Sequence, residues 1–117
     1  MYIYHIIERE AWQAAQAAGQ YSPPSLDQEG FIHTSTLAQV VDTANRFYPA
    51  QTGLLLLAIA ADALQSTLQF DPVTTHGEEQ RFPHIYGPLN LDAVVGVVEV
   101  PPGQDGIFTL PAGLPGA

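Results

Sequence analysis

The run Leu54–Ala60 constrains the fold more than any other part of the chain, because every one of its residues is apolar. Side chains of a β-strand alternate between the two faces of a sheet, so a strand of this composition has to be covered on both faces. A helix of this length would be unusually short, and a membrane span needs roughly 18 apolar residues in a row. The run therefore predicts a buried strand with other elements packed on both of its sides.

Other segments also have the composition of strands. Residues 2–7 are β-branched and aromatic, and the alternation of side chains places Ile3, His5 and Ile7 on one face of the predicted strand. The remaining strands are predicted at 30–35, about 67–71, 83–86 and 93–100. Four of the six predicted strands lie after residue 50.

Two segments between the early strands have helical patterns. Residues 9–18 are rich in alanine and glutamine and end at Gly19, a residue type that commonly terminates helices. Thr36 followed by Gln39 fits a capping box at the start of a second helix, which Pro49 would end. The sequence thus predicts two short helices in the first half of the chain.

The order of these elements predicts the α+β class. We expect a small single domain in which the two short helices pack on a twisted, mostly antiparallel sheet. This domain is assigned to residues 1–101, and a tail rich in proline and glycine, residues 102–117, either wraps around it or frays. Polar residues, glycine and proline predict loops at 20–29 and 72–81, and a turn is expected at 61–64.

Charge limits the partners of this chain. Its 117 residues include twelve acidic residues, three arginines and no lysine, and the formal net charge is −9. Such a chain is poorly suited to bind extended nucleic acid or anionic membranes. A small nucleotide-like ligand with one or two phosphates remains compatible, because a local arginine pocket can hold it. With no cysteine, no membrane span and no basic segment ahead of an apolar one, we expect a soluble cytoplasmic protein without a signal peptide.

Histidines are the main candidates for chemistry. His5 and His33 lie in predicted strands at parities that can both face one cleft, and His84 shares a strand face with Tyr86. Three imidazoles can bind zinc, so a metal-assisted hydrolase is one alternative. The histidine spacings match no metal-ligand motif, however, and we therefore predict no metal cofactor.

A strand-to-helix junction is the predicted phosphate site. Thr34, Ser35 and Thr36 lie there, and the free backbone amides at a helix start attract anions. Arg46 follows on the same helix and either contacts the anion or pairs with Asp42, four residues earlier. No glycine-rich phosphate-binding motif is present, so P-loop and Rossmann mechanisms are excluded.

Several of these residues belong to longer motifs. The motifs are Tyr4-His5-Ile6, Glu29-Gly30-Phe31-Ile32-His33-Thr34-Ser35-Thr36, Ala44-Asn45-Arg46-Phe47 and Phe82-Pro83-His84-Ile85-Tyr86-Gly87-Pro88-Leu89. With them the chain closely resembles, over about residues 2–100, a small bacterial family known as domain of unknown function 952, or DUF952. That family has no settled activity.

A more distant resemblance is to the ADP-ribosyltransferase-like fold, nearest to the NAD-dependent RNA 2′-phosphotransferases. It depends on the order of a Tyr-His strand, a helix with Trp12 and a terminal glycine, a Phe-Ile-His-x-Ser strand, an alanine-rich helix and an aliphatic strand. The resemblance implies that NAD is the cofactor, that His5 holds a ribose hydroxyl and that Trp12 packs beneath the pocket. The late glutamate of such transferases, which stabilises an oxocarbenium-like ribose, would be Glu78 or Glu79.

One candidate site follows from this resemblance. The candidate catalytic residues are His33 and Glu79, and the candidate NAD-binding residues are His5, Ser35, Arg46, His84 and Tyr86. Two functions stay open beside the metal-assisted hydrolase. The first is a NAD-utilising ADP-ribosyl- or 2′-phosphotransferase, which requires these side chains to converge on one concave pocket. The second is a non-catalytic module that binds a small ligand in the same cleft.

Overall fold

The structure, a computed structural model, describes residues 1–117 as eight strands and three helices. The strands are β1 (Tyr2–Glu8), β2 (Gln20–Tyr21), β3 (Ile32–His33), β4 (Leu54–Ala60), β5 (Thr67–Thr75), β6 (Glu78–Tyr86), β7 (Leu89–Asn90) and β8 (Val94–Glu99). The helices are α1 (Arg9–Ala18), α2 (Pro24–Gln28) and α3 (Leu37–Phe47). All strand pairs are antiparallel, so the predicted α+β class is confirmed.

Strand β4 is the middle strand of a central sheet whose order is β1-β4-β8. Its side chains Leu55, Leu57 and Ile59 pack in one hydrophobic core with residues of α1. Leu54 and Leu56 point to the opposite face and pack in a second core with residues of α3. The prediction of a strand covered on both faces is confirmed, and the parity of each residue decides which core it enters.

Strand β1 follows the same alternation beside β4. Ile3 and Ile7 enter the core that contains α1, whereas Tyr4 and Ile6 enter the core that contains α3. His5 has the parity of Ile3 and Ile7, and its ring meets the carbonyl of His33 at the end of β3. The predicted face of β1 therefore carries His5 toward the second sheet.

The other strands form a sheet of order β3-β6-β5 and a short β2-β7 pair, so the single predicted sheet is in fact three. The predicted strand 30–35 is divided because the chain changes partner at Thr34. Before this residue β3 pairs with β6, and after it Ser35 bridges to Tyr4 of β1. The two backbone hydrogen bonds of this bridge are both 2.8 Å long, and they connect the two large sheets.

The predicted loop 72–81 is instead most of a β-hairpin. Strands β5 and β6 pair without interruption, and His76 and Gly77 form the two-residue turn between them. Both turn residues have a positive φ, 51° and 77°, as a turn that matches the twist of the strands requires. The segment is polar because β5 is an edge strand that pairs on one side only.

The helices differ from the prediction in number. The loop predicted at 20–29 contains β2 and a third, short helix, α2, which begins at Pro24, whose ring fixes φ near the helical value. Helix α1 ends as predicted at Gly19, where φ is 84° and the N–H donates to the Ala15 carbonyl at 2.9 Å. None of the helices is long and apolar enough to span a bilayer.

The segment after β8 has no helix or strand, yet it packs against the central sheet. Phe108 and Leu114 are buried in the core that contains α3. The Phe108 N–H donates to Asn45 Oδ1 at 2.8 Å, and Asn45 Nδ2 donates to the Phe108 carbonyl at 3.2 Å. Tyr4 Oη donates to the Pro115 carbonyl at 2.6 Å. The tail therefore wraps over the sheet and, with α3, completes one of the two cores.

Candidate functional site

A cavity of about 840 Å³ opens where the central sheet, the β5–β6 hairpin and α3 meet. Its wall also includes residues of β3 and of the segment around α2. Five of the predicted site residues lie in this wall: His5, His33, Ser35, Arg46 and His84. Side chains that are far apart in the sequence are thus brought to one concave surface.

His5 is held by hydrogen bonds on both sides of its ring. Its Nδ1 lies 2.6 Å from the His33 carbonyl, and its Nε2 lies 3.0 Å from the hydroxyl of Tyr21. A carbonyl oxygen only accepts, so Nδ1 carries the proton and Nε2 accepts from Tyr21. Burial lowers the pKa of His5 to about 4, against a smaller raising effect of the bond to the His33 carbonyl. His5 is therefore a neutral bridge between β1, β2 and β3, and both its nitrogens already have partners.

His33 is an exposed residue of the wall, and one of its two ring nitrogens is already hydrogen-bonded within the protein. Its Nε2 hydrogen-bonds to the carboxylate of Glu29, which lies just after α2. An ionised carboxylate only accepts, so Nε2 carries the proton. In the neutral ring Nδ1 is then the basic nitrogen, and it has no partner in the protein.

His84 is the buried counterpart of His33 on β6. Its Nδ1 donates to Asp71 Oδ2 at 2.7 Å, and the ring of Phe31 stacks on it with the centroids 4.0 Å apart. Asp71 also accepts hydrogen bonds from the Tyr86 hydroxyl and from Gln69. These bonds, that of Tyr86 first, lower the pKa of Asp71 to about 2. A carboxylate that is ionised at neutral pH thus fixes the orientation of His84.

Arg46 has no acidic partner. Asp42 lies four residues before Arg46 and was the predicted alternative partner. Its Oδ1 instead accepts a hydrogen bond from Nε2 of His76 at the hairpin turn, at 2.9 Å. No other carboxylate lies within ion-pairing distance of the Arg46 guanidinium, which is 4.9 Å from the centroid of the Phe47 ring. The exposed guanidinium is available to an anion in the cavity.

Ser35 is buried, and its hydroxyl lies 3.2 Å from that of Thr43, which itself donates to the Gln39 carbonyl at 3.1 Å. Ser35 is therefore the donor to Thr43, and its two lone pairs can only accept. The first residues of α3 do not reach the cavity wall. The positive charge next to the cavity is consequently that of Arg46 near the end of α3 rather than the amides at its start.

Two predicted site residues and Trp12 lie elsewhere. Glu79 is exposed on β6 opposite Thr74, and it does not line the cavity. Tyr86 is also outside the wall; its hydroxyl donates to Asp71, and its ring centroid lies 5.4 Å from that of Phe31. Trp12 is buried in the core beside α1 and is not a residue of the cavity wall.

Three residues that the sequence analysis did not select hydrogen-bond directly to the histidines of the candidate site. Tyr21 bonds His5, Glu29 bonds His33 and Asp71 bonds His84. Every predicted histidine of the wall therefore has a polar partner that orients it. No three histidine or carboxylate side chains converge in the arrangement of a metal site. What the arrangement offers chemically is two oriented imidazoles, one guanidinium and an aromatic wall.

Two of the three comparisons with known proteins gave matches. The family model described as "Protein of unknown function (DUF952)" matches residues 6–97. The crystal structure of protein CC0527 from Caulobacter crescentus is similar, with a TM-score of 0.81 and 35% identity over 94% of this chain and 95% of that chain. Its solution NMR structure gives a TM-score of 0.75 and 34% identity over 91% and 90%. The comparison with curated proteins gave no match. The chain therefore belongs to the DUF952 family of proteins of unknown function.

Proposed function

We propose that the protein binds a nucleotide of the ADP-ribose class, with NAD and ADP-ribose as its simplest members, in the cavity described above. The observation that carries this proposal is the guanidinium of Arg46, which has no acidic partner and shares one wall with His33 and His84. Arginine is the side chain best suited to phosphate, because its donors match two phosphate oxygens at once.

The rest of the wall suits the other parts of such a ligand. Tyr21, Phe47 and Tyr48 supply aromatic surface against which a base or a ribose can pack. The imidazole nitrogens of His33 and His84 that have no protein partner can hydrogen-bond ribose hydroxyls. A nucleotide thus finds a complementary group for each of its three components.

Size and charge both favour a small ligand over a polymer. The volume of about 840 Å³ is within the range of small-molecule sites, roughly 300–1,000 Å³. Arg46 is the only arginine in the wall, and the chain carries a formal net charge of −9. An RNA strand would meet repulsion over most of the surface, whereas one or two phosphates meet the local positive charge.

Binding, rather than ADP-ribosyl transfer, is the function proposed. The glutamate expected to stabilise the reacting ribose, Glu79, is exposed outside the cavity. Glu29, a carboxylate of the wall, is already bonded to His33. We therefore expect NAD to bind without release of nicotinamide, which chromatography of an overnight incubation measures. Release of nicotinamide at a rate above that of a heat-denatured sample would favour the transferase instead.

The decisive test of binding is isothermal titration calorimetry with Arg46→Ala. The wild-type protein is expected to bind ADP-ribose, and loss of a charge-assisted bond of about 1.5–3 kcal/mol should weaken binding roughly 10- to 150-fold. Adenosine, which has no phosphate, should bind equally to both proteins. Arg81→Ala is the matched control, because Arg81 is exposed and its side chain bonds the Phe70 carbonyl away from the wall.

Two results would contradict the proposal. One is a folded wild-type protein that binds neither NAD, ADP-ribose nor a 2′-phosphorylated nucleotide. The other is equal affinity of Arg46→Ala and wild type for the phosphorylated ligands. If Arg81→Ala weakened binding as much as Arg46→Ala, the phosphate site would have to be placed on the hairpin surface instead.

A further inference from the structure

Two histidines with their own carboxylates face each other across one strand pair of the cavity wall. His33 on β3 is the direct partner of His84 on β6, and side chains at paired positions lie on the same face. Their ring centroids are 5.4 Å apart, with the planes at 78°. Glu29 holds the first ring and Asp71 holds the second.

The carboxylates decide which nitrogen of each ring is free to react. Glu29 takes the Nε2 proton of His33, and Asp71 takes the Nδ1 proton of His84. This leaves Nδ1 of His33 and Nε2 of His84 without protein partners. No buried polar side-chain atom of the protein lacks a hydrogen bond, so the unpartnered Nε2 of His84 retains some exposure to solvent, and His84 is a residue of the cavity wall. Both rings therefore present one reactive nitrogen.

We propose that His33 and His84 form a general acid–base pair that hydrolyses the five-membered cyclic phosphodiester of a ribose 2′,3′-cyclic phosphate. This inference rests on the proposed function, because the same cavity has to bind a phosphorylated ribose, with Arg46 on the phosphate. It goes beyond binding, because a binding site needs no pair of carboxylate-oriented imidazoles at this separation.

The roles of the two rings follow from their exposure. The side chain of His33 is 58% exposed, so its free Nδ1 is accessible to a leaving oxygen of the ligand, and we assign it the role of acid. The side chain of His84 is 5% exposed and its Nδ1 is held by Asp71, so its free Nε2 has a fixed direction, and we assign it the role of base. Asp71 is a positioning residue, because it orients His84 and does not line the cavity.

The reaction consumes one water molecule. Nε2 of His84 takes a proton from the water, whose oxygen forms a new bond to phosphorus. The bond from phosphorus to one ribose oxygen breaks, and that oxygen takes the proton of Nδ1 of His33. The product is a ribose phosphate monoester, and the two rings return to their starting state by exchanging protons with the solvent.

The strained cyclic phosphodiester is a substrate that the side chains of this cavity can hydrolyse. The strain of the five-membered phosphodiester is released on opening, so proton transfer and one guanidinium suffice to assist its hydrolysis. A mononucleotide also fits in a cavity of about 840 Å³, whereas a linear RNA would extend onto an acidic surface. The substrate class is therefore a cyclic mononucleotide.

The test is hydrolysis of adenosine 2′,3′-cyclic phosphate, followed by phosphorus NMR. We expect the wild-type protein to form the monophosphate, and to leave adenosine 3′,5′-cyclic phosphate and a linear dinucleotide uncleaved. His33→Gln should lower kcat/KM at least about 100-fold, the range of general acid–base catalysis. Since His33 is exposed, this variant should fold normally. His76→Gln is the matched control, because His76 lies at the hairpin turn outside the cavity.

Further variants test the buried half of the pair. His84→Gln should give a loss similar to that of His33→Gln, with circular dichroism to verify its fold. Asp71→Asn should lower kcat with little change in KM, and Asp71→Glu should restore part of the rate. If Asp71→Asn acted only by destabilising the fold, it would lower the fraction of folded, active protein, and Asp71→Glu would not be more active than Asp71→Asn.

Failure of this inference can be told from failure of the proposed function. A folded wild-type protein that binds ADP-ribose but does not open the cyclic phosphate overturns the acid–base pair and leaves nucleotide binding intact. Hydrolysis at the wild-type rate by His33→Gln overturns it equally. Absence of both hydrolysis and binding of any nucleotide overturns both proposals.

Discussion

Replacing Phe108 by alanine is expected to lower the free energy of unfolding by about 3–5 kcal/mol, although the residue lies in a segment without regular structure. Phe108 is 1% exposed and packs in the same core as Tyr4, Val40 and Leu54. Removing the ring leaves a cavity between the tail, α3 and the central sheet, and the surrounding side chains can close it only in part. Urea unfolding followed by circular dichroism measures the change.

The neighbouring residue provides the control for this prediction. Ile107 is 53% exposed, so Ile107→Ala should change the unfolding free energy by no more than about 0.5 kcal/mol. Asn45→Ala leaves the Phe108 N–H and carbonyl without their partners and should cost about 1–3 kcal/mol. If Phe108→Ala were as stable as Ile107→Ala, the tail would not be part of the core in solution.

The central sheet could be predicted from the sequence because a strand buried on both faces needs apolar residues at every position. In Leu54–Ala60 both parities are apolar, and only a strand between two layers needs that pattern. Residues 2–7 carry the same signal, and Ile3 and Tyr4 do enter opposite cores. Gly19 predicted the end of α1 because its left-handed conformation favours glycine.

The second sheet was harder to predict because its signals are local and polar. Strand β5 lies at an edge, so its exposed side chains resemble those of a loop. Strands β5 and β6 are joined by the two-residue turn His76-Gly77. The glycine is typical of such turns, but histidine at the first position indicates a hairpin less strongly than asparagine or aspartate does. Short strands such as β2 and β7 depend on tertiary contacts and leave almost no pattern.

At the candidate site, too, the sequence predicted the histidines but not the residues that hydrogen-bond to them. His33 and His84 were selected as unusual residue types on strands, and the pairing of β3 with β6 brings them together. Asp71 was not selected, because its position diagonal to His84 follows only from the register of the hairpin. Glu29 precedes His33 by four residues, a spacing that sequence analysis treats as informative in helices, but here the intervening chain is not helical.

Acid is expected to destabilise the protein through His5, whose neutral ring joins three strands. The pKa of His5 is about 4 in the folded protein and 6.5 in an unperturbed chain. Between these values the unfolded chain binds more protons, so the unfolding free energy falls as the pH is lowered through this window. At about 1.4 kcal/mol for each pKa unit, the total loss is about 3 kcal/mol. Urea titrations between about pH 7.5 and pH 4 measure it.

The variant His5→Gln isolates this contribution because glutamine cannot take up a proton. It should be less stable than wild type near neutral pH, and that difference should shrink by about 2–3 kcal/mol near pH 4. The lowered pKa of Asp71, about 2 instead of 3.8, contributes stability that is lost only below pH 3.8, outside this window. Equal slopes for His5→Gln and wild type would mean that His5 can be protonated without breaking its bonds to Tyr21 and His33, contrary to the tautomer assigned to it.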